Sequence, residues 1–397
     1  MNKESKTKSN KHLKILLISG GFFPGKKYGG IVTSRLNFCE ALKSVFDIYV
    51  LTSNHDYNSN VVYENIDAGW NGFRGYQLQY INDKQFGGKY IKTIIDSIKP
   101  DLIYMSGTIT SFFKYNRFAL KYAKKRNIPC LISPDGDLGT NALSIKTSKK
   151  RFAAFICRFF KVFDKVFFYT TSKEEKDNLI SFLKINQTYV YEGTNISYPI
   201  ISRDPIIKKK NSLRAIYSSR IHKQKNLLFV LKCFQQLRLD NLYLDIYGEI
   251  EDLDYWKECK SIIDTNKNIK YLGLLDIDEA RDIYKRYDCL LMPTLGENYS
   301  HTIEESIMCG CPVLLTKGVT PWDSINGEAG FLFDENDQKA FISLVNMLYS
   351  FDNNEYSEIQ KTTRTYAITV LDTKKKSTIF VNTVFDIVLK QRSFKNE

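Results

Sequence analysis

Apolar runs and amphipathic stretches alternate along the whole chain. The first apolar run, Lys14–Gly20, is continuous and ends in a glycine, which predicts a strand that is buried on both faces of its sheet. A glycine-rich loop follows, then apolar residues at helical spacing from Leu36 to Val45, and then a second apolar run at Asp47–Ser53. Strand, loop, helix and strand in this order predict a βαβ unit, whose parallel strands are covered by helices.

The alternation continues to residue 200 and then starts again. Further strands are predicted at 101–107, 128–134, 165–172 and 188–193, and a second series at 213–219, 242–248, 269–273, 289–294, 312–316 and 330–333. Helices are predicted at 90–100, 118–127, 173–183, 227–237, 252–264, 278–287, 302–310, 340–351 and 378–391. The polar, lysine-rich stretch 203–211 between the two series is the best candidate for a linker.

This pattern predicts an α/β fold with two Rossmann-like, doubly wound domains facing each other across a cleft. The N-terminal domain is expected at 1–200 and the C-terminal domain at 201–375, with a C-terminal helix at 376–397 that crosses back to the N-terminal domain. Ligands of such sheets bind at the carboxyl ends of the strands, so we expect functional residues in the loops that follow strands.

Composition and charge narrow the class of protein. The 397 residues are 43% hydrophobic, which excludes a disordered or fibrous chain. Lys and Arg number 57 against 44 Asp and Glu, and this net charge of +13 favours an anionic partner such as nucleotide phosphates or an anionic membrane. A basic solvated surface is the alternative. Because no recognition module or stacking platform for nucleic acid is visible, nucleic acid is not an expected partner.

Cysteines and histidines give no sign of a metal site or a disulfide framework. The eight cysteines are scattered, apart from Cys309 and Cys311, and are expected to be reduced and mostly buried. The four histidines lie far apart, so no metal site is predicted. No apolar segment is long enough to cross a membrane and no standard secretion signal is visible, so we expect a cytoplasmic protein.

The most informative segment, 293–315, places two glutamates beside a predicted helix start. Glu297 lies in the loop after a buried strand, and Glu305 is expected on the first turn of a helix that begins near Thr302. Amides at a helix N-terminus favour an anion, and carboxylates can accept hydrogen bonds from ribose or hexose hydroxyls. Together they predict a sugar-nucleotide pocket. Thr302 and Glu305 also match a capping box, in which Glu305 would only close the helix start.

Two basic residues and a glycine loop are further candidates. Arg220 and Lys225 lie between a strand and a helix, where they could hold a diphosphate or could simply be solvated. In the loop after the first strand, glycines including Gly29 and Gly30 allow a phosphate or a sugar to approach the backbone. The loop matches neither G-x-G-x-x-G nor a Walker sequence, so a dinucleotide site or a P-loop is not expected.

The order of these features resembles the retaining GT-B glycosyltransferases of family four, also called glycosyl transferases group 1. The specific part is the glutamate pair followed by C-G-C-P. The matching pieces run from residue 14 to 335 and include PGKKYGGIVTSRLNFCEAL, YTTSKEE, SSRIHKQKN, IYGE, IKYLG and GENYSHTIEESIMCGCPV. The resemblance implies a hexosyltransferase that uses a nucleoside-diphosphate (NDP) sugar, UDP- or GDP-linked, and retains stereochemistry. It also implies a reaction without a metal and without a permanently bound cofactor.

The resemblance further implies roles for individual residues. Catalytic roles fall on Glu297, which would bind hydroxyls of the donor sugar, and on Arg220 and Lys225, which would hold the diphosphate. Many members carry a histidine on the acceptor side, and the matching region here, SPDGDLG, leaves Asp135 and Asp137 as candidates. Ser300 stands where the family often has glycine. The donor-binding positions are Glu305 at the ribose, the backbone of Leu272 and Gly273 at the base, Gly29 and Gly30 at the donor phosphate and acceptor, and Asn298, Tyr299 and Ser300 near the sugar.

The implied acceptor is a glycan or a lipid-linked acceptor in surface polysaccharide biosynthesis. A non-catalytic sugar-nucleotide-binding or assembly subunit with this fold is an alternative, and so is an NDP-sugar epimerase. The segment 149–163 is relevant to the acceptor, because it holds five cations and no acid, interleaved with aromatic residues. As a helix it would suit the anionic inner face of a membrane. Packing on the sheet with its lysines outward is the alternative.

Overall fold

The computed structural model describes residues 12–109, 111–138, 147–198, 207–297 and 299–393, and the chain divides into two α/β units. Unit 1 contains the residues up to Ile196 together with those from Lys374 onward, and unit 2 is Ser197–Thr373. The sequence predicted divisions after residues 200 and 375. Each unit is built on a parallel or largely parallel sheet with helices, which confirms the expected fold class.

Unit 1 is built on an eight-stranded sheet in the order β3-β4-β2-β1-β5-β6-β7-β8, in which only β3 and β4 pair antiparallel. Its strands are β1 (Leu13–Ser19), β2 (Phe46–Ser53), β3 (Asn71–Phe73), β4 (Tyr76–Ile81), β5 (Leu102–Ser106), β6 (Cys130–Ser133), β7 (Phe167–Thr170) and β8 (Val190–Glu192). The helices between them are α1 (Gly30–Leu42), α2 (Gly88–Ile98), α3 (Arg117–Arg126), α4 (Thr147–Phe159) and α5 (Lys173–Leu183).

Unit 2 is built on a six-stranded sheet in the order β11-β10-β9-β12-β13-β14, in which all neighbours are parallel. Its strands are β9 (Leu213–Ser218), β10 (Leu242–Tyr247), β11 (Ile269–Tyr271), β12 (Cys289–Met292), β13 (Val313–Thr316) and β14 (Gly330–Phe333). Its helices are α6 (Leu227–Gln236), α7 (Leu253–Ile263), α8 (Ile277–Ile283), α9 (His301–Met308), α10 (Gln338–Ser350) and α11 (Asn353–Val370).

Each sheet has one point at which the strand order reverses. In unit 1, β1 lies between β2 and β5, and in unit 2, β9 lies between β10 and β12. The next strand along the chain lies on one side of β1 or β9, and a later strand lies on the other side. The loops that follow the two strands at a reversal therefore diverge, and they leave a crevice at the carboxyl edge where ligands of such sheets bind.

The last described helix, α12 (Thr373–Ser393), belongs to unit 1 almost entirely. Phe380 is 1% exposed and its ring packs on the rings of Phe38, Tyr104 and Tyr169, with centroids 5.0, 5.4 and 5.0 Å away. The helix is also fixed by Tyr191, which donates to the Asp386 carboxylate and accepts from Lys390 Nζ at 2.9 Å. The C-terminal residues therefore complete the aromatic core of unit 1.

Two parts of the structure were missed by the sequence pattern. Strands β3 and β4 were not predicted, although Tyr76, Leu78 and Ile81 of β4 are buried. Helix α11 was not predicted because its buried face is mostly polar or weakly apolar, and includes Gln360 and Thr363. A capping box of Asp352 and Glu355 marks its start and was the available signal.

The predicted linker is only partly described. Residues 203–206 lie outside the described residues, and within 207–211 every residue except Lys208 is exposed. Lys208 is buried, its Nζ donates to the carbonyls of Ser212 and, at 3.0 Å, Lys209, and its amide donates to Asn353 Oδ1 at 3.0 Å. A buried ammonium needs such acceptors, and they fix this stretch on unit 2.

Two other expectations concern the cysteines and the membrane. All eight cysteines are buried free thiols, as expected, and burial raises the pKa of several of them, including Cys39 and Cys289. Among the helices described, none is both long enough and apolar enough to pass through a bilayer.

Phe380→Ala should lower the free energy of unfolding of unit 1 by about 3–5 kcal/mol, because a large aromatic side chain is removed from a packed core. Phe385→Ala on the same helix should cost less than about 1 kcal/mol, because that ring is 45% exposed. Denaturant unfolding followed by circular dichroism measures both. Equal costs for the two variants would contradict the packing of α12 on unit 1.

Candidate functional site

Two loops flank the strand reversal of unit 2. One follows β9 and contains residues 219–226, and the other follows β12 and contains residues 293–300. The loops are joined, since the Leu295 amide donates to the Gln224 carbonyl at 2.8 Å and Gln224 Nε2 donates to the Gly296 carbonyl at 3.4 Å. Residues that are far apart in sequence therefore lie side by side at the carboxyl edge of the sheet.

An ion pair between Lys225 and Glu297 crosses this reversal. Lys225 Nζ donates to Glu297 Oε1, and Lys225 is buried while the glutamate side chain is 20% exposed. Burial lowers the pKa of the Lys225 ammonium, and the Glu297 carboxylate opposes that effect. The sequence named both residues, and the structure shows them in direct contact.

Arg220 lies in the same loop but has a different partner. Its Nη1 donates to both carboxylate oxygens of Glu251, at 2.8 and 3.0 Å. The Arg220 side chain is half exposed, so this pair contributes only about 0–1 kcal/mol. Such a weak pair can be exchanged for an anionic ligand at little cost. Arg220 also lies close enough to Lys225 to lower the pKa of that ammonium.

Glu305 does not close the start of α9. The residue before the helix is Ser300, no side chain accepts a capping hydrogen bond there, and the acid of the first turn is Glu304. The capping-box alternative and the placement of Glu305 on the first turn are therefore wrong. Among the described residues, no hydrogen bond reaches the partly buried Glu305 carboxylate. Desolvation raises its pKa from 4.5 to about 7, opposed by His301.

Glu304, which the sequence analysis did not single out, organises the loop before α9. This buried carboxylate accepts from the hydroxyls of Ser197 and Tyr299, the latter at 2.7 Å, and lies 3.3 Å from His301 Nδ1. Trp322 Nε1 donates to the Tyr299 carbonyl. The Tyr299 side chain is thus part of the support of the loop.

Ser300 has a positive φ of 67°. This backbone region favours glycine, and glycine is the residue that the family resemblance leads one to expect there. The serine therefore keeps the unusual backbone conformation that precedes α9, while it adds a side chain. Asn298, the other candidate in this turn besides Tyr299, lies outside the described residues.

The candidate base site lies at the edge of β10 and β11. The Gly248 amide donates to the Gly273 carbonyl at 2.8 Å, and Gly273 has a φ of 85° with no atom within 4 Å of the place that a Cβ would occupy. At Gly248 a Cβ would lie 1.8 Å from the Ser219 carbonyl oxygen, so glycine is required there. Leu272 and Leu274 are 46% and 43% exposed beside this edge, which suits an apolar face for a base.

The glycine loop of unit 1 corrects part of the sequence argument. A Cβ on Gly20, Gly21 or Gly25 would collide with a tyrosine, namely Tyr115, Tyr28 and Tyr63 respectively. Those three glycines make room for aromatic rings and not for a ligand. Gly29 differs, because it has a φ of 61°, has no atom within 4 Å of its Cβ position, and directly precedes α1, which begins at Gly30.

The two acceptor-side candidates both have protein partners. Asp135 accepts from Ser133 Oγ at 2.7 Å and forms an ion pair with Arg35, a buried residue of α1. Asp137 accepts from the Thr108 amide at 3.1 Å. Glu175 of α5 binds the loop from the other side, through the amides of Gly136 and Thr171, each at 3.0 Å.

Sequence reasoning missed Arg35 and Glu175. The available signal was an arginine on the otherwise apolar face of α1, since a buried guanidinium needs a carboxylate. For metals, the described part of the chain contains no group of three or more His, Cys, Asp or Glu side chains that could hold an ion.

Comparison with known proteins finds a family match in the second half of the chain. Residues 201–366, most of unit 2, match the family model described as glycosyl transferases group 1. The match to this family therefore lies in unit 2. No curated protein matches the chain in sequence.

Solved structures show that the whole chain has the GT-B fold. HepE of Anabaena, in complex with UDP and glucose, superposes with a TM-score of 0.68 at 15% identity, covering 94% of this chain and 100% of HepE. A glycosyltransferase from Rickettsia africae gives a TM-score of 0.68 at 15% identity, covering 95% and 99%. WaaG, a glycosyltransferase involved in lipopolysaccharide biosynthesis, gives 0.63 at 13% identity, covering 92% and 99%.

The raised pKa of Glu305 predicts a pH dependence of stability. The folded protein holds this proton more tightly than the unfolded chain does, so stability should fall as the pH rises from about 4.5 through about 7. Glu305→Gln should remove this loss, on the order of 2–3 kcal/mol, in unfolding measured at pH values from about 5 to about 8. Glu335→Gln, an exposed acid of the same unit, is the control and should keep the wild-type curve. A curve for Glu305→Gln that matches the wild type would contradict the prediction.

Proposed function

We propose that the protein is a retaining hexosyltransferase that moves a hexose from an NDP-sugar to a glycan or lipid-linked acceptor in surface polysaccharide biosynthesis. The observation that carries this proposal is the Lys225–Glu297 ion pair, which crosses the strand reversal of unit 2 with Arg220 in the same loop as Lys225. The partly buried carboxylate of Glu305 adds an acceptor for hydroxyls at the same edge. Cations for a diphosphate and carboxylates for sugar hydroxyls are the groups that such a donor requires.

Each group has one task in the proposed complex. Arg220 exchanges Glu251 for the diphosphate, and Lys225 shares its protons between the diphosphate and Glu297. Glu297 accepts from hydroxyls of the donor sugar, and Glu305 accepts from the ribose. The backbone at Tyr299 and Ser300, with Asn298, approaches the sugar, and Leu272 and Gly273 contact the base.

The reaction needs stabilisation of the charge that develops on the leaving diphosphate. Two fixed cations, Arg220 and Lys225, and the amides at the start of α9 supply it, so in the proposal no metal and no resident cofactor takes part. With the leaving diphosphate held on the face where the acceptor attacks, the stereochemistry at the sugar is retained. Gly29 and Gly30 of unit 1 would adjoin the donor phosphate and the acceptor.

The donor base and the acceptor are inferred from proteins of similar structure. HepE binds UDP and glucose, which favours UDP over GDP as the nucleotide. WaaG is involved in lipopolysaccharide biosynthesis, which favours a cell-surface glycan or its lipid-linked precursor as the acceptor. On the acceptor side the candidates are Asp135, which is paired with the buried Arg35, and Asp137. We place the reaction in the cytoplasm, at the inner membrane face when the acceptor is lipid-linked.

UDP or GDP should bind in the absence of magnesium, and Arg220→Ala should weaken that binding by about 10- to 100-fold. The loss follows from a charged hydrogen bond worth about 1.5–3 kcal/mol. Isothermal titration calorimetry with UDP, GDP, ADP and CMP measures it. Lys257→Ala, an exposed cation on α7, is the matched control and should bind as the wild type does. Equal affinities for Arg220→Ala and the wild type would refute the assigned role.

Glu297→Gln should lower kcat for release of the nucleotide from its sugar by at least about 100-fold, while nucleotide binding is retained. Glutamine still accepts a hydrogen bond from Lys225 but lacks the charge. The assay follows the slow hydrolysis of UDP-glucose, UDP-N-acetylglucosamine and GDP-mannose without an acceptor, and Glu335→Gln is the control. Binding without turnover in the wild type itself would favour a non-catalytic subunit.

A further inference from the structure

Helix α4 of unit 1 and the residue after it expose large apolar rings to solvent. Phe152, Phe155, Phe159 and Phe160 are 65%, 55%, 70% and 69% exposed, whereas the other exposed phenylalanines that the structure describes, Phe113 and Phe385, reach 40% and 45%. Three of the rings form one group, since the Phe155 and Phe159 centroids are 6.1 Å apart and those of Phe159 and Phe160 are 5.1 Å apart. Phe152 lies three residues before Phe155, on the same side of the helix. Contiguous exposed apolar surface of this kind marks a binding surface.

The exposed rings share one face of the helix with two arginines. At about 100° per residue, Arg151, Phe152, Phe155, Arg158 and Phe159 lie within an arc of about 120°. The buried side of the helix carries the small residues Ala154 and Cys157. We name Arg151, Phe152, Phe155, Arg158, Phe159 and Phe160 the α4 patch. The alternative, a helix packed on the sheet with its lysines outward, agrees with the buried Ala154 and Cys157 but does not explain why these phenylalanines are exposed.

The charged residues of the segment that contains the patch are all positive. The segment 149–163 contains five cations and no acid. Among the described residues, neither Arg151 nor Arg158 has an ion pair, unlike Arg220 and Lys225 of unit 2. A second copy of the chain that covered this face would bring the same charges against it across a two-fold axis, which is unfavourable. An occupant that is apolar inside and anionic at its surface meets both requirements.

We propose that the α4 patch docks the protein on an anionic lipid bilayer. The phenylalanine rings would enter the headgroup and upper acyl region, and Arg151 and Arg158 would contact lipid phosphates. This helix would then lie in the plane of the interface without spanning it. All residues of the α4 patch belong to unit 1. Only the use of the patch in reaching a lipid-linked acceptor rests on the proposed function.

Flotation of the full-length protein with vesicles tests the proposal. The protein should bind vesicles of mixed phosphatidylglycerol and phosphatidylcholine much more tightly than vesicles of phosphatidylcholine alone. Replacing Phe152, Phe155 and Phe159 together by serine should weaken binding to the anionic vesicles by at least about 100-fold. Replacing Arg151 and Arg158 by glutamine should weaken it by about 30-fold, from about 1 kcal/mol per cation and 1.4 kcal/mol per tenfold change.

A matched control replaces three other exposed apolar residues by serine, namely Val61, Ile207 and Leu253, which are 76%, 81% and 69% exposed. This variant should bind anionic vesicles as the wild type does. Thermal unfolding and calorimetric UDP binding confirm that each variant is folded. They also separate the two proposals, because loss of vesicle binding with nucleotide binding intact concerns the patch alone.

Four results would overturn the proposal. The first is absence of wild-type binding to anionic vesicles, and the second is equal binding to neutral vesicles. The third is an equal loss of binding in the Val61, Ile207 and Leu253 control. The fourth is a concentration-dependent dimer in sedimentation velocity that the phenylalanine variant dissociates, since the patch would then be covered by a second copy.

Discussion

The ion pair between Lys225 and Glu297 is the constraint on which the arrangement of unit 2 depends. A buried ammonium is costly unless a carboxylate lies against it, so the loops after β9 and β12 are held together at the point where the strand order reverses. The pair is asymmetric, because the lysine is buried while the glutamate is partly open. The carboxylate therefore retains oxygen lone pairs for further donors, and the lysine holds its position whether or not an anion is present. Arg220 has the opposite character, since its exposed contact with Glu251 is weak and exchangeable.

Both units have a strand reversal in their sheet, but different side chains line the loops beside it. In unit 1 the loop after β1 also lies at the strand reversal, but tyrosine rings fill it: Tyr115, Tyr28 and Tyr63 press against Gly20, Gly21 and Gly25. In unit 2 the corresponding space is bordered by charged side chains. A parallel sheet supplies the crevice in both cases, and the side chains decide whether it is packed with protein or left for a polar ligand.

The elements that were predicted well from the sequence are those that depend on residues within one short segment of the chain. Continuous apolar runs predicted β1, β9 and β14, and α5 was predicted at its observed bounds, where the structure shows Ser172 capping its start. Helix α11 was missed because its buried face carries glutamine and threonine, so its sequence lacks the apolar spacing of an amphipathic helix.

At the candidate site, Glu297, Lys225 and Arg220 were named from the motif, but their partners were not. That Arg220 binds Glu251, that Glu304 supports Tyr299 and that Arg35 neutralises Asp135 are contacts that no local pattern specifies. Only the folded chain defines them.

The structure also shows how some of the cations behind the net charge of +13 are placed. A basic composition alone predicts equally well a solvated surface, a nucleotide site or a membrane contact. The structure distinguishes these three explanations, because it shows which carboxylate, if any, lies beside each cation. The cations of the candidate donor site are compensated in place, Lys225 by Glu297 and Arg220 by Glu251, so the site keeps loops together before a ligand arrives. Arg151 and Arg158 have no such carboxylate among the described residues, and they lie beside exposed aromatic rings instead.

Cations that order a binding site need internal counterions. Cations that attract a large anionic surface are more effective without them, because an internal carboxylate would cancel the attraction. The distribution of carboxylates, more than that of the lysines and arginines, therefore distinguishes the two surfaces.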